Sequence, residues 1–242
     1  MLTLFSDHEV AAGAVVTIGE GETHHARVRR VALGEQVRLV NGRGDVGVGQ
    51  VIKLARTQLH VELNRAWSEP PLPEIHLLVP VADRDRMLWL AEKAVELGVS
   101  SWRPVLWRRS RDVRPRGEGR SFQDRVRSRM IGALTQSGGA WLPVHHPDAT
   151  PERALAAGPA GARLLLDVEG APMLGELGSA PVTLAVGPEG GLEPAERTMM
   201  CDAGFRPVRL GPLTLRFETA GVAALAVARA ALTDVREGDN GS

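Results

Sequence analysis

Hydrophobic residues follow two different spacings along this chain. In the first 67 residues, short stretches alternate apolar and polar positions, the two-residue period of β-strands with one buried face. A single short helix is expected to begin with Thr23 as its N-cap. We therefore predict a small, closed or nearly closed β-domain. Its expected strands are 15–18, 36–40, 46–54 and 58–63, the second and third joined by a glycine-bearing hairpin turn at 41–45.

Strands and helices alternate beyond a proline-rich linker, 68–74. Asp83 is the expected N-cap of the first helix, and Gly98 follows its end, where glycine is favoured. This alternation predicts an α/β domain, so the expected domains are 1–70 and 74–236. The expected strands are 75–81, 102–106, 163–168, 182–186 and 206–210. The expected helices are 83–97, 122–137, 151–157, 194–203 and 218–232.

Two glycine-bearing turns follow successive strands of this second domain. They are Gly187-Pro188-Glu189-Gly190-Gly191 and the stretch that begins at Leu210-Gly211. Glycine lets a backbone approach a ligand closely, and α/β sheets bind ligands at the carboxyl ends of their strands. Neither turn has the spacing of a dinucleotide-binding or NTPase phosphate loop. The pair is consistent with a site that clasps a flat, uncharged ring through backbone groups, or with two tight turns that have only a structural role.

Charge is unevenly distributed although the formal net charge is zero. Ten arginines lie in 103–129, against three acidic residues. This excess indicates either a phosphate-binding surface or a solvated loop in an arginine-biased sequence. Cys201 is the only cysteine, which excludes an intrachain disulfide, and no metal site is expected. No stretch is apolar and long enough to span a bilayer and the N-terminus lacks a signal-peptide pattern, so we expect a cytoplasmic protein.

The two turns, taken with other short motifs, resemble the RsmE family within the SPOUT class of RNA methyltransferases. The decisive strings are Gly187-Pro188-Glu189-Gly190-Gly191, Leu210-Gly211 and Leu215-Arg216-x-Glu218-Thr219-Ala220. Weaker matches lie upstream and extend the resemblance over nearly the whole chain. They are His24-His25-x-x-Val28-x-Arg30, Glu92 to Val99, Arg109-Ser110 and Thr135-Gln136-Ser137. The chain departs from the family pattern at Gly138-Gly139, Thr214 and Phe217.

The resemblance implies an α/β fold with a SPOUT-type methyltransferase domain, threaded in a deep trefoil knot, after a small PUA-like β-barrel that binds RNA. It also implies S-adenosylmethionine as cofactor and a homodimer. The implied reaction is methylation of N3 of a uridine in 16S ribosomal RNA, on the assembled 30S subunit. Two alternatives stay open: a SPOUT enzyme that methylates a ribose 2′-hydroxyl or a tRNA base, and a non-catalytic RNA-binding assembly factor.

Site residues follow from the matched motifs. Arg216 is expected to stabilise the negative charge that develops on the uridine, Glu218 or Glu189 to accept its proton, and Thr219 to hydrogen-bond the base. Because Gly190 belongs to the cofactor turn, we expect Gly190→Val to block cofactor binding. The expected cofactor-binding residues are Leu166, Val186, Gly187, Gly190, Gly191, Leu210, Gly211, Leu213, Thr214 and Leu215. The expected RNA-binding residues are His24, His25, Arg27, Arg30, Arg108, Arg109 and Arg111.

Overall fold

A computed structural model describes residues 1–111 and 119–239, with side chains up to residue 233. These residues form two compact units. The first comprises Met1–Pro71 together with Ile131–Leu142, and the second comprises the remaining described residues. Segment Ile131–Leu142 therefore belongs to the first unit although it lies far along the chain. Among the described residues, no helix is long and apolar enough to cross a membrane.

The first unit is a five-stranded sheet with one short helix, as the alternating pattern predicts. The sheet order is β1-β3-β4-β5-β2, and all neighbours are antiparallel except β1 and β3. Strand β1, which the sequence analysis missed, is short and lies at one edge. The elements are β1 (Leu2–Phe5), β2 (Val15–Ile18), α1 (Glu20–Val28), β3 (Gln36–Val40), β4 (Asp45–Leu54) and β5 (Leu59–Ser68). Their inward side chains, including Leu4, Ile18, Leu39 and Val61, form its apolar core.

Helix α1 begins one turn earlier than the sequence indicates. Its N-cap is Gly19, so the prediction that Thr23 caps this helix is wrong. Thr23 is fully buried and its hydroxyl donates to the carbonyl of Ile18 at 3.2 Å. That bond fixes the chain as it leaves β2, and it satisfies a hydroxyl that the core would otherwise leave without a partner.

The hairpin between β3 and β4 is confirmed. The side-chain oxygen of Asn41 accepts from the backbone N–H of Arg43 at 2.8 Å and of Asp45 at 3.2 Å. Gly44 has a φ of 95°, which disfavours any side chain there. Trp141 packs against Gly44, and its indole N–H donates to the carbonyl of Glu69 at 2.8 Å. The 131–142 segment is thus joined to the β-domain by close packing and directed hydrogen bonds.

The second unit is the predicted α/β domain, with a six-stranded parallel sheet. The sheet order is β11-β9-β10-β6-β7-β8. Its strands are β6 (Ile75–Pro80), β7 (Ser101–Val105), β8 (Val144–His145), β9 (Ala162–Pro172), β10 (Val182–Ala185) and β11 (Arg206–Arg209). Its helices are α2 (Arg84–Glu96), α3 (Arg120–Ser137), α4 (Pro151–Ala156), α5 (Pro194–Asp202) and α6 (Phe217–Asp239), and a 3₁₀ turn covers Met173–Gly175. Helix α3 ends within the first unit.

Helix α2 has the ends that its sequence predicts. The Asp83 carboxylate accepts from the backbone N–H of Arg86 at 3.1 Å, which satisfies one of the free donors of the first turn. Gly98 follows the helix with a φ of 68°. Buried Met87, Leu90 and Ala94 recur on one face, so the helix packs onto the unit through that face.

Strands β11, β9 and β10 are adjacent and parallel, so their carboxyl ends share one edge of the sheet. Strand β9 is longer than predicted and its register against β11 shifts between Pro207 and Val208. Gly170 lies at this shift, where a Cβ atom would collide with the Pro207 and Val208 backbone. The two glycine-bearing turns follow β10 and β11, and the topology brings them to the same edge.

Candidate active site

A cavity of about 390 Å³ opens at the carboxyl edge of β9, β10 and β11. This is the edge where parallel α/β sheets bind ligands, and the volume lies within the usual range for small-molecule sites. Three stretches of chain form its walls: 165–169 of β9, 186–192 after β10, and 208–220 from the end of β11 into α6. The two turns singled out by the sequence are therefore opposite walls of one site.

Nine of the ten predicted cofactor residues line the cavity. Gly191 has a φ of 73°, a conformation that a side chain disfavours, so its backbone is exposed to the cavity without a Cβ atom between. Leu213 and Leu215 are 74% and 39% exposed, which leaves their apolar side chains available to a ligand. The nine are Leu166, Val186, Gly187, Gly191, Leu210, Gly211, Leu213, Thr214 and Leu215.

Gly190 is the predicted cofactor residue that does not line this cavity. A Cβ atom on Gly190 would lie 3.3 Å from the side chain of Arg109. The Arg109 guanidinium donates to the Gly190 carbonyl at 2.8 Å and to Glu193 Oε1 at 2.7 Å. The glycine therefore leaves room for the Arg109 side chain against the turn, and the expectation that Gly190→Val blocks cofactor binding stays a prediction.

The start of α5 holds the first turn in place. Glu193, its N-cap, and Glu196 form a reciprocal capping box, in which the Glu196 carboxylate accepts from the Glu193 N–H at 2.9 Å. The other oxygen of Glu196 accepts from the backbone N–H of Arg108 at 2.7 Å. Arg109 and the Arg108 backbone thus fasten the loop after β7 to the turn. Both arginine side chains were predicted to bind RNA, and Arg109 has this structural role in the described chain.

An acidic pair on β9 lines the cavity and was not predicted. Asp167 accepts from Arg197 Nε at 2.8 Å and from the Glu169 N–H at 3.0 Å. Burial alone would raise the pKa of Asp167, but these hydrogen bonds and the Arg197 charge together hold it below its usual value. Asp167, Glu169 and Arg197 all line the cavity. In the sequence, Asp167 directly follows Leu166 near the end of a predicted strand, and no local pattern indicates its role.

The three predicted catalytic residues lie where α6 begins, and their environments differ. Arg216 is exposed, precedes the helix and lies between two cavity-lining residues, Leu215 and Phe217. Glu218 is 9% exposed, and its Oε2 atom has no hydrogen-bond partner among the described residues. Thr219 is exposed on the next position of the helix. The arrangement offers a cation and a hydroxyl to solvent beside the cavity and a carboxylate beneath them.

Arg86 of α2 links the two predicted motifs and was not identified from the sequence. Its guanidinium forms an ion pair with Glu189 of the first turn, and its Nε lies 3.8 Å from Glu218 Oε1. Both carboxylates that were predicted as proton acceptors therefore share one cation. The signal in the sequence was an arginine in the first turn of α2, where the dipole does not favour positive charge.

The predicted RNA-binding residues are divided between the two compact units. His24, Arg27 and Arg30 are exposed on or just after α1 in the first unit, and His25 is partly buried there. The Arg27 guanidinium donates to the Arg56 carbonyl at 3.3 Å. Arg108, Arg109 and Arg111 are exposed in the second unit. Part of the predicted arginine-rich segment, 112–118, lies outside the described residues.

The cavity suits S-adenosylmethionine in three respects. It offers apolar side chains for an adenine ring, backbone groups of glycine-bearing turns for the ring's edge, and carboxylates for hydroxyl or ammonium groups. Gly187 and Gly191 keep side-chain atoms away from two of these backbone positions. The residues present therefore fit this group.

Comparison with known families finds two successive matches along the chain. Residues 18–64 match the RNA methyltransferase PUA domain family, and residues 68–229 match the RNA methyltransferase domain family. The second match includes every residue that lines the cavity.

Individual proteins and structures are similar over nearly the full length. Ribosomal RNA small subunit methyltransferase E of Mycobacterium bovis is 33% identical over 227 residues, covering 88% of this chain and 85% of that protein. The structure of the Neisseria gonorrhoeae ribosomal RNA small subunit methyltransferase E bound to S-adenosyl methionine has a TM-score of 0.86 at 27% identity, covering 96% and 98% of the chains. A Legionella pneumophila methyltransferase in complex with the same cofactor has a TM-score of 0.88 at 25% identity, covering 95% and 97%.

Proposed function

This chain belongs to the ribosomal RNA small subunit methyltransferase E family, and on that premise we propose that it methylates N3 of a uridine in 16S ribosomal RNA with S-adenosylmethionine. The observation that supports this most is the cavity in which both turns of the family signature and nine predicted cofactor residues meet. Arg216 directly precedes the next helix, beside the cavity. A cofactor site and a cation aimed outward toward a large substrate are the two parts that such a reaction requires.

Bound S-adenosylmethionine supplies an electrophilic methyl group on its sulfonium. The chain's own residues have the other tasks, which are to orient the uridine, to receive its N3 proton and to stabilise the charge left on O2 and O4. Arg216 suits the last task because it is exposed next to the cavity and carries a fixed positive charge. Thr219, one turn along on α6, is placed to donate a hydrogen bond to the base.

The proton acceptor is one of two carboxylates, Glu218 or Glu189. Glu218 is buried below Arg216, and Glu189 is more exposed on the first turn. Arg86 lies between them and holds both by charge. The greater exposure of Glu189 favours its direct contact with the substrate uridine. Glu218 would reach the uridine only through a water molecule or after a small movement of the α6 N-terminus.

RNA binding would use the exposed basic residues of each unit. Phosphate contacts from His24, Arg27 and Arg30 of the first unit position the RNA without reading its sequence. Arg111 and the exposed part of Arg108 add contacts in the second unit, and the target base is flipped from its stack to reach the cavity. The ion pair of Arg109 with Glu193 and its hydrogen bond to the Gly190 carbonyl assign it to holding the turn, with RNA contact as a second task.

The wider context of the reaction rests on family resemblance. We place the substrate uridine on the assembled 30S subunit, the protein in the cytoplasm with the ribosome, and two copies of the chain in the active enzyme. Sedimentation equilibrium of the purified protein tests the last point, since a homodimer has twice the mass of the 26.0 kDa chain. A monomer at micromolar concentration that is fully active would contradict it.

A methylation assay with defined substrates tests the proposed reaction. Purified protein, labelled S-adenosylmethionine and either 30S subunits or protein-free 16S RNA from an unmethylated source are combined, and the RNA is digested to nucleosides. We expect label in N3-methyluridine, with 30S subunits as the better substrate. Label in a 2′-O-methylated nucleoside, or in tRNA alone, would support a different SPOUT activity. No transfer to any RNA by protein that binds the cofactor would support an assembly factor.

A further inference from the structure

A second cavity, of about 380 Å³, lies at the opposite edge of the six-stranded sheet, and we name it the amino-edge pocket. Its walls come from the starts of β6, β7, β8, β9 and β10, and α4 and Phe205 cover it. It shares no lining residue with the candidate active site. The methyl-transfer reaction proposed above therefore makes no use of it.

Polar side chains form a row across the floor of the amino-edge pocket. Arg163 of β9 pairs in register with Thr183 of β10, Thr183 with His76 of β6, and His76 with Ser101 of β7. Side chains at paired positions of a sheet point to the same face. The next row on that face contains the apolar residues Leu165, Ala185 and Leu78, and it ends at Arg103 on β7. An interior sheet face normally continues apolar to its end, so four polar residues at one level indicate a surface meant to meet a polar ligand.

The row is held by hydrogen bonds, and among the described residues the hydrogen-bond partners of the Arg163 guanidinium are backbone carbonyls. Arg163 donates to the carbonyls of Ala203 at 2.8 Å and Pro159 at 3.3 Å, and its guanidinium lies 5.9 Å from the centre of the Phe205 ring. These contacts fix the direction of the Arg163 side chain and do not neutralise its positive charge. His76 bonds Ser101 Oγ through Nδ1 at 2.8 Å and Glu74 through Nε2 at 3.2 Å, so the pocket's acidic residue is already partnered.

Arg103 adds a second cation to the same pocket. It lies on β7 two residues beyond Ser101, and its side chain is partly buried. Burial lowers the pKa of Arg103. His146 lines the pocket next to it, and burial first, then the positive charge of Arg103, lowers the pKa of His146. Two arginines and a histidine thus line one pocket, in which the acidic residue Glu74 is hydrogen-bonded to His76.

The lining also contains apolar side chains. They are Leu155 and Ala157 of α4 and its C-terminal end, Val144 and Phe205. Guanidinium groups bind phosphate oxygens through paired N–H donors, and apolar walls hold the body of a small molecule. A pocket of this size takes a compact ligand and excludes a nucleic-acid strand.

We propose that the amino-edge pocket binds a small organic phosphate, with the phosphate group at Arg103 and an apolar or aromatic body against Leu155 and Phe205. A ligand there would rest against the first residues of β6 and β10, whose other ends lead into α2 and the cofactor turn.

Titration calorimetry with phenyl phosphate tests this site without RNA or S-adenosylmethionine. Phenyl phosphate carries the proposed phosphate and an aromatic body. We expect wild-type protein to bind it and Arg103→Gln to weaken binding about tenfold or more, since the change removes a charge-assisted hydrogen bond. Arg153→Gln on α4 is the matched control, because Arg153 is exposed and does not line the pocket. Equal affinity of the two variants, or no binding by wild-type protein, would overturn the proposal.

A second variant distinguishes a lost binding site from a folding defect. A second ligand distinguishes binding of a small phosphate from contact with RNA. Ala157→Trp adds bulk at the exposed rim of the pocket without touching its cations, and we expect it to abolish phenyl phosphate binding while leaving the melting temperature unchanged. Single-stranded RNA hexanucleotide affinity should be the same in wild-type protein and Arg103→Gln. A loss of hexanucleotide binding with unchanged phenyl phosphate binding would overturn the proposal and make Arg103 part of the RNA surface.

Discussion

Arg216 is the residue on which the proposed chemistry depends most. It precedes α6, is exposed beside the cavity and lies between lining residues Leu215 and Phe217. Its charge is therefore available to a substrate outside the protein, while the walls of the cofactor cavity are formed by other residues. A residue with this position should affect the rate of methyl transfer and leave cofactor binding nearly intact.

The variant Arg216→Ala separates these two effects. We expect kcat to fall by roughly 100-fold to 1000-fold, the usual cost of removing one preorganised group that stabilises developing negative charge. S-adenosylmethionine affinity, measured by calorimetry, should stay within about threefold of wild type, since no wall of the cavity is lost. Arg206→Ala is the control, because Arg206 is an exposed arginine that pairs with Glu176 away from the cavity. Equal kcat for the two variants would remove Arg216 from the mechanism.

The two adjacent glycines of the first turn should respond differently to valine. Gly191 lines the cavity at a φ of 73°, so Gly191→Val both strains the backbone and places atoms toward the cofactor. Valine at Gly190 meets only the Arg109 side chain, which can move. Calorimetry should show cofactor affinity reduced at least about tenfold by Gly191→Val, a loss of about 1.4 kcal/mol or more, and reduced less by Gly190→Val. The reverse order would mean that the turn faces the ligand through Gly190.

Asp167 should contribute a stability that depends on pH. Its pKa is below its usual value in the folded protein, so its contribution is present above about pH 4 and is lost as the pH falls through the folded pKa. Asp167→Asn should lower the free energy of unfolding by about 1 kcal/mol at pH 7, because the Arg197 partner is partly exposed to solvent. Urea denaturation at pH 7 and pH 3 measures this difference, which should shrink at pH 3. Glu169→Gln, an exposed acid of the same strand, should show no such dependence; a constant deficit in Asp167→Asn would point to packing.

At the scale of elements, the close pairing of β9 with β11 shapes the site. The register shift beside Gly170 lets β9 continue along β11 as far as Pro172. The Arg209 guanidinium also donates to the Gly170 carbonyl at 2.6 Å, which ties the end of β11 to the same residue. Since both strands lead into walls of the cavity, their spacing sets its width.

Gly170→Ala tests this pairing. The added methyl group would collide with the Pro207 and Val208 backbone, which has no side-chain freedom to yield. We expect a loss of about 1–3 kcal/mol in the free energy of unfolding, the usual cost of overpacking, together with weaker cofactor binding. Gly175→Ala in the 3₁₀ turn is the control, since a Cβ atom there meets nothing within 4 Å. Equal stability of both variants would show that β9 and β11 can separate without cost.

Elements were predicted well where hydrophobic spacing and end signals agree, and less well where distant contacts decide. Helix α2 has both a side-chain N-cap and a glycine end, and its predicted bounds are nearly those found. Strand β1 was missed because its partner β3 lies more than thirty residues away. Thr23 was misassigned because a buried hydroxyl bond to Ile18, invisible in the sequence, outweighs a favourable capping residue.

The site itself was located from the glycine turns, but its supports were not. Glycine turns at strand ends are local signals, and parallel strand order then brings them together. Arg86 and Asp167 are paired with residues 103 and 30 positions away, respectively, so no local pattern shows their role. The glycine-bearing turns predict that a ligand binds there, but they do not identify it. The family resemblance identifies S-adenosylmethionine and the reaction.

At the scale of the whole molecule, the predicted fold class is confirmed: an α/β domain of the SPOUT methyltransferase type follows a PUA-like β-domain. The two compact units divide the proposed work, with exposed basic residues of the first unit for RNA and the cavity of the second for the cofactor. The 131–142 segment returns the chain to the first unit in the middle of the second. Separate expression of residues 1–70 would therefore omit the 131–142 segment, which packs within the first unit.

The most direct test of the account is nucleoside mass spectrometry of 16S ribosomal RNA from the host strain with the gene deleted. We predict that one N3-methyluridine disappears, that wild-type protein restores it, and that Arg216→Ala does not, although that variant accumulates and binds S-adenosylmethionine. An unchanged amount of N3-methyluridine in the deletion strain, or full restoration by Arg216→Ala, would contradict the central claim.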